Sequence, residues 1–437
     1  MSMKTARTAA AALAATAMVT ALGACGTDSG GGSSDPAGGP VEISYTGWVP
    51  SAEEVVDVWN EANPDVQVRY SPVANGQEAY PKIRSSVQAG DGGCLAQLTL
   101  DQVSSFVADG MLLDVSEYVG DAEDLFLDWT WAQVSPGGAT YAIPQDTGPM
   151  AMYYRADLFD QFGIDVPTTW DEFATAAETV HAADPSKTLT YLATDDASTI
   201  AAYAWQRGAQ WFEIDGEAWQ VGIDDDASVE AAEYWQGLLD SGAIATTKRW
   251  DPGFYAELNQ GTYLAMIGGA WNTALIEENV AETSGSWRVA PMPTVDGSDA
   301  TANSGGSAVA VLKGCENPEA AVEFATWLNS SDESLAVLTA PDGGGLYPAV
   351  KDAPEVAAAD QELEFFGGQD IAEVFDASAQ NVNTDWAWGP TYSTTDTGLT
   401  DGLASVATGG STLPDMLAGL QETTVAAMQD RGIAVAD

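Results

Sequence analysis

Basic residues are scarce in this chain: 14 lysines and arginines stand against 65 aspartates and glutamates, a formal charge of −51. A surface of that sign repels phosphate backbones and anionic lipid headgroups, which argues against nucleic acid or electrostatic adsorption to membranes. Histidine is scarcer still. The one present, His181, sits in Val180-His181-Ala182-Ala183-Asp184-Pro185 near a predicted helix end. That argues against Ser-His-Asp catalysis and histidine-rich metal sites, and leaves a helix-end or surface role. Also missing are Gly-x-x-x-x-Gly-Lys, Gly-x-Ser-x-Gly and His-Glu-x-x-His. No cofactor and no metal is therefore expected. A glycoside hydrolase needs only two carboxylates, so a secreted glycosidase stays open as the enzymatic alternative.

Cysteine is limited to three residues, and their positions differ in kind. Lys4 and Arg7 precede a small-residue apolar run, Ala9 to Leu22, which ends in Leu22-Gly23-Ala24-Cys25 and a Gly/Ser tract. A positive start, an apolar core and a small-residue cleavage site mark a secretory signal over residues 1–24, with a flexible linker over 25–40. Cys25 directly after Leu-Gly-Ala resembles a bacterial lipobox, whose cysteine becomes lipid-modified; the other reading is an ordinary signal peptide with a nearby cysteine. Cys94 and Cys315 then remain in an exported chain. An even remainder in an oxidising compartment favours a disulfide over two separate thiols.

What is present is a large apolar fraction, 45%, in 437 residues, too long for one ordinary core and sufficient for two domains. Val41 to Tyr45 alternates as a strand does, Glu53 to Asn60 carries Val55, Val56 and Trp59 on one helical side, and Val66 to Tyr70 alternates again. Tyr80 to Gln88 reads as a helix and Leu95 to Leu100 as a strand, with Asp101 placed to cap the next helix. A β-α-β-α-β start implies an open sheet with helices on its faces, and ligands in such sheets bind beyond the strands' carboxyl ends. Trp48 and Asp101 fall there. Further on, Tyr153 to Phe162 reads as a helix, Thr169 as the cap of another, and Asp215-Gly216 as a hairpin turn. Asp224-Asp225-Asp226 opens a helix over Ser228 to Leu239, where carboxylates are favoured without a metal.

Several segments, in order, resemble the extracellular solute-binding proteins of family 1, the relatives of maltose-binding protein. They are Asn60-Glu61-Ala62-Asn63-Pro64-Asp65-Val66-Gln67-Val68; Gly253-Phe254 through Asn259-Gln260-Gly261-Thr262-Tyr263-Leu264-Ala265-Met266 to Gly269-Ala270-Trp271; Pro291-Met292-Pro293; Ser304-Gly305-Gly306-Ser307; Asn317-Pro318-Glu319 to Trp327-Leu328; and Gly345-Leu346-Tyr347-Pro348. Gly90-Asp91-Gly92-Gly93-Cys94 departs from the family's Pro-Asp pair before the third strand. The resemblance implies an α/β, periplasmic-binding-protein-like fold of two α/β lobes joined by crossing strands, with an interlobe ligand cleft. Crossings are expected near 145–152, 306–311 and 341–346. The N-terminal lobe is then 41–148 plus 309–343, holding both Cys94 and Cys315, and the C-terminal lobe 149–308 plus 344–437.

The same resemblance implies a lipid-anchored protein at the extracellular face of the cytoplasmic membrane. It would be a monomer that binds a neutral oligosaccharide without transforming it and delivers it to ABC permease subunits. Aromatic rings cover the C–H faces of sugars, while Asp, Asn, Glu and Gln serve their hydroxyls. Trp48, Asp101, Asp146 and Trp271 match cleft-facing family positions. Trp386, Trp388 and Tyr392 occupy a region that supplies aromatic platforms, Trp250 and Tyr347 are further candidates, and Gly306 allows close backbone approach. Asp101 is as well explained by capping. Trp59, Trp170, Trp235 and Trp327 carry helical apolar spacing and are assigned to packing. The same fold binding an amino acid or peptide is the remaining alternative.

Overall fold

The computed structural model describes residues 39–74, 76–216, 218–340, 345–352 and 362–436, and Pro40 onward forms one compact unit. The signal segment, Cys25 and nearly all of the linker lie outside the described residues.

The expected opening is found. Strand β1 (Val41–Gly47) buries Ile43 and Tyr45, and the helix Ala52–Ala62 buries Ala52, Val55, Val56 and Trp59, the spacing of one helical face. Asn63 ends that helix by donating its backbone N–H to the Trp59 carbonyl at 2.9 Å. The chain returns as β2 (Val66–Pro72), parallel to β1 from Val41↔Val66 to Gly47↔Pro72. After the helix Gly76–Ala89, strand β3 (Leu95–Thr99) pairs on the other side of β1. Strand β4 (Ala142–Thr147) completes the N-terminal run, and the chain then leaves this sheet.

The second lobe is built around β5 (Met150–Arg155), flanked by β10 (Ala265–Gly269) and β11 (Trp287–Pro291). Between them come β6 (Tyr191–Ala193), the hairpin β7 (Phe212–Asp215) and β8 (Ala218–Val221), and β9 (Ala245–Thr247). β6 runs parallel to β9, and the bridge Thr188↔Tyr263 ties its start to the segment entering β10. Thr169 forms a capping box with Glu172 at the helix Trp170–Ala183, and Asp225 caps the helix Asp226–Asp240 through the Ser228 N–H. Trp170 and Trp235 are core residues in contact with Phe173, Tyr203 and Tyr234, as Trp59 is with Phe324 in the first lobe; Trp327 is partly buried against both.

β12 (Ser307–Val311) returns to the first lobe between β3 and β4, and β13 (Tyr347–Pro348) adds to β4's free edge. The larger sheet is thus ordered β13-β4-β12-β3-β1-β2. Cys94, just before β3, and Cys315, just after β12, are joined by a disulfide across these neighbouring antiparallel strands.

Two expectations change. Tyr153–Phe162 is not one helix: Met150–Arg155 is a strand and only Ala156–Phe162 is helical. A strand covered on both faces shows an unbroken apolar run rather than alternation, which periodicity does not separate from a buried helix. The third crossing also lies later than 341–346. Tyr347 and Pro348 still pair with β4, and Lys351 donates to the Leu125 carbonyl, so the first lobe extends beyond residue 343. A two-residue edge strand carries no periodicity to be seen.

The first two crossings lie against each other. Ser304 N–H donates to the Gly148 carbonyl at 2.8 Å, and Gly148 N–H to Asn303 Oδ1 at 2.6 Å. A Cβ on Gly148 would overlap the Ser304 carbonyl, so glycine is required there. Gly305 and Gly306 turn the chain at φ +86° and +87°, a region that L side chains rarely adopt.

Candidate functional site

The first lobe contributes the carboxyl ends of β1 and β3. Trp48 follows β1; its backbone N–H donates to buried Gln97 Oε1 at 2.9 Å, and its ring meets Tyr80 edge-on at 6.4 Å. Thr99 ends β3 with an extended backbone and is the N-cap residue of the helix Leu100–Ala108. Asp101 therefore sits in the first turn and is not the N-cap residue; its carboxylate accepts from the Thr99 hydroxyl, whose oxygen is 2.9 Å from Tyr80 Oη. Burial pushes the Asp101 carboxyl up to about 6, against the lowering effect of Thr99.

The second lobe contributes the carboxyl ends of β6, β9 and β10, where Asp195-Asp196, Arg249-Trp250 and Trp271 follow. Arg249 is 3% exposed and organises this wall. Its Nη1 lies 3.0 Å from Asp196, its Nη2 donates to Asn272, and its own N–H donates to Asp195 at 2.7 Å. Burial opposes the charge on Arg249, yet Tyr191 and Asp196 hold its pKa above the ordinary value. The guanidinium carbon is 4.8 Å from the Trp250 ring and 4.7 Å from the Trp271 ring, which are near-parallel at 13° with centroids 6.1 Å apart. Trp271 Nε1 donates to the Ser304 carbonyl at 2.8 Å, fixing its plane against the crossing segment. Trp250 is 53% exposed.

A third piece comes from the start of the helix Tyr392–Ala407. Trp388 packs on Tyr392 at 4.5 Å, and Tyr392 is fully buried with a hydroxyl that has no hydrogen-bond partner among the described residues. Asp101, Asp396 and Asp196 all act electrostatically on that hydroxyl, which burial holds far above its ordinary pKa. Burial first, then Asp101 and Asp196, raise Asp396 to about 7. One carboxylate of the first lobe and two of the second thus bear electrostatically on one buried phenol. Ionised, these groups accept hydrogen bonds only; protonated, each also donates one. Among the described residues, no group of three or more His, Cys, Asp or Glu side chains is placed to hold a metal.

Of the sequence-derived candidates, Trp388 and Tyr392 belong to the buried third piece, Trp388 edge-on to Trp205 and Trp386, while Trp48, Asp101, Trp250 and Trp271 occupy the two walls. Trp386 does not. It is 2% exposed, stacked at 5.0 Å and 8° on Trp205 and packed against Trp211, so its faces are taken by core rings. Tyr347 is buried too, its hydroxyl donating to Asp376 at 2.7 Å. Asp146 belongs to a buried polar chain at the end of β4. It accepts from Ser307, which lies beside Gln97 and Gln145, and burial raises it to about 6. Gly306 is a backbone requirement: a Cβ there would lie 2.8 Å from the Asp146 carbonyl. Asp196, Arg249 and Asp396 were missed. The signal for the first two was available, since both follow a short strand's carboxyl end and Arg249 is one of few cations.

A model of the bacterial extracellular solute-binding protein family matches residues 41–334. The galacto-N-biose-/lacto-N-biose I-binding protein of the ABC transporter from Bifidobacterium longum, solved with lacto-N-biose, is 31% identical and superimposes with TM-score 0.83 over 91% of this chain and 100% of that one. The ABC transporter associated binding protein from B. animalis subsp. lactis, solved with β-1,6-galactobiose, is 26% identical at TM-score 0.80, over 91% and 100% of the two chains. An arabinooligosaccharide-binding protein of Halalkalibacterium halodurans is 25% identical over 297 residues, 64% of this chain and 65% of that relative. The chain thus spans just under two thirds of that curated relative's length.

Proposed function

Because this chain belongs to the bacterial extracellular solute-binding protein family, we propose that it captures a neutral oligosaccharide between its lobes and presents it, unaltered, to the permease of an ABC importer. The observation that carries this reading is the wall of near-parallel Trp250 and Trp271 rings held by buried Arg249 in one lobe, with the Trp48 ring and the Asp101 carboxylate supplied by the other. A sugar held between them supplies hydroxyl donors to carboxylates that otherwise repel one another, while Trp271 and Trp48 cover its C–H faces. Contacts to both lobes exist together only when the lobes are closed, so ligand shifts the population towards closure. The saccharides bound by the bifidobacterial proteins, and the arabinooligosaccharides of the Halalkalibacterium relative, support a short oligosaccharide as the ligand class. Calorimetry against lacto-N-biose, β-1,6-galactobiose and arabinooligosaccharides tests it; tight binding of amino acids or peptides alone would replace the sugar.

One observation favours a glycosidase instead: Asp396, raised to about 7, has the acidity of a general acid at neutral pH. Against it, Asp101 and Asp396 stand on separate lobes, whereas glycosidase carboxylates need a fixed separation. Chromatography of the sugar after long incubation separates the two, cleavage favouring the enzyme.

The body of the protein is held at the outer face of the cytoplasmic membrane by lipid on Cys25, with the Gly/Ser tract as tether and the protein working as a monomer. Among the described residues no helix is long and apolar enough to cross a membrane. Cys25→Ala should release the protein into the medium or block its processing; a free wild-type protein with an intact Cys25 thiol would contradict the anchor.

A further inference from the structure

The residues next in sequence to the candidate sugar ligands point elsewhere. Asp101 is followed by Gln102 and Tyr392 by Ser393, and these two neighbours touch each other across the lobes: Ser393 Oγ donates to Gln102 Oε1 at 2.7 Å. The Ser393 N–H donates to Ser105 Oγ at 3.1 Å, and Arg84 Nη2, from the helix Gly76–Ala89, donates to Ser393 Oγ at 3.0 Å. Arg84 lies 3.9 Å over the Phe106 ring and is paired with Asp109. Asp109 is paired again at 2.7 Å with Arg431, which follows the helix Leu413–Asp430 of the second lobe. Polar contacts therefore join the lobes directly beside Asp101 and Tyr392, in a chain with few cations. On the aromatic wall, where Arg249 and Trp271 carry it, Trp250 is more than half exposed.

We propose that the cleft is blind where Arg84, Gln102 and Ser105 close on Ser393, and open where Trp250 faces solvent, so that the protein reads a saccharide from one terminus. The inference rests on the oligosaccharide reading above. A ligand extended past Asp101 and Tyr392 has to break charge-assisted and neutral hydrogen bonds together and strip the buried Gln102 and Ser105 of their contacts to Ser393. A ligand extended towards Trp250 breaks none of these. Arg84, Gln102 and Ser393 therefore set which end of the chain is recognised by exclusion, without touching the ligand that is accepted.

The test uses lacto-N-biose and β-1,6-galactobiose, each compared with its 4-methylumbelliferyl glycoside, extended at the reducing end, and with the trisaccharide extended at the other end. For whichever disaccharide binds, calorimetry should find one extension tolerated within roughly tenfold in Kd and the other weakened by about 100-fold or more. Arg84→Ala, and separately Ser393→Gly, should recover the excluded form by roughly tenfold while leaving the tolerated form unchanged; two variants guard against one that fails to fold. Equal binding of both extensions, or exclusion of both, overturns the blind end while the sugar reading stands. Failure of both disaccharides and of arabinooligosaccharides to bind removes the sugar reading, and the blind end with it.

Discussion

The two lobes are made of different materials. The first is a six-stranded sheet whose interior carries a polar chain of Gln97, Gln145, Asp146, Ser307 and Asn329, closed by a disulfide between neighbouring strands. The second has a three-stranded sheet at its centre and ten of the fifteen tryptophans, six of them in two clusters around Trp170 and around Trp205. The difference carries into the cleft. One wall offers a carboxylate and a tryptophan on rigid strand ends; the other offers stacked rings held by one buried arginine. A two-part site of this kind needs both lobes, which is why closure and recognition are one event.

The contrast predicts different failures. Breaking the disulfide with Cys94→Ser and Cys315→Ser should cost the first lobe up to about 5 kcal/mol on the chain-entropy model, since the bridge spans 221 residues of sequence. Thermal unfolding by far-UV dichroism should show the loss, and an unchanged midpoint would contradict a stabilising bridge. Trp205→Ala strikes the second lobe's counterpart. Trp205 is 1% exposed, stacks on Trp386, meets Trp129 of the first lobe edge-on and donates to the Asn383 carbonyl. Its loss should cost about 3–5 kcal/mol, the range for a large ring removed from a core. A loss under about 1 kcal/mol would mean that the cluster repacks freely.

A smaller effect separates the walls by pH. Asp396 is raised in the folded protein, so its proton is held more tightly there than in the unfolded chain. Its contribution to stability is full below about pH 4 and is lost as pH rises through about 7. Asp396→Asn removes the charge, so the variant should match wild type near pH 4 and exceed it by about 2 kcal/mol at pH 8. Equal stability at both pH values, or a gain confined to acid, would show that burial and the neighbouring aspartates do not raise Asp396 as described.

Sequence reading reached the fold further than the site, for a physical reason. Strand alternation at Val41–Tyr45, the Val55-Val56-Trp59 face, the Thr169 cap and the Asp215-Gly216 turn are local, and local chemistry decides them. Trp271 and Asp101 were legible because each follows a strand's carboxyl end. Trp386 and Trp388 were not separable, since an aromatic loop that lines a cleft and one that plugs a core have the same composition. Only tertiary packing stacks Trp386 face to face on Trp205 and sets Trp388 edge-on to both, against Tyr392. Asp196, Arg249 and Asp396 lie on three distant segments, and their meeting is a product of the fold.

The stacked wall is tested most directly by calorimetry of Trp271→Ala beside wild type, with lacto-N-biose, β-1,6-galactobiose and arabinooligosaccharides as titrants. Trp271 is held by Ser304 on its edge and by Arg249 on its face, so the ring can be removed with its frame in place. Binding of at least one saccharide should weaken by about 1–3 kcal/mol, with the thermal midpoint little changed. Saccharide binding that is unaffected by the loss of Trp271, in a variant that folds normally, would contradict a sugar held on this wall.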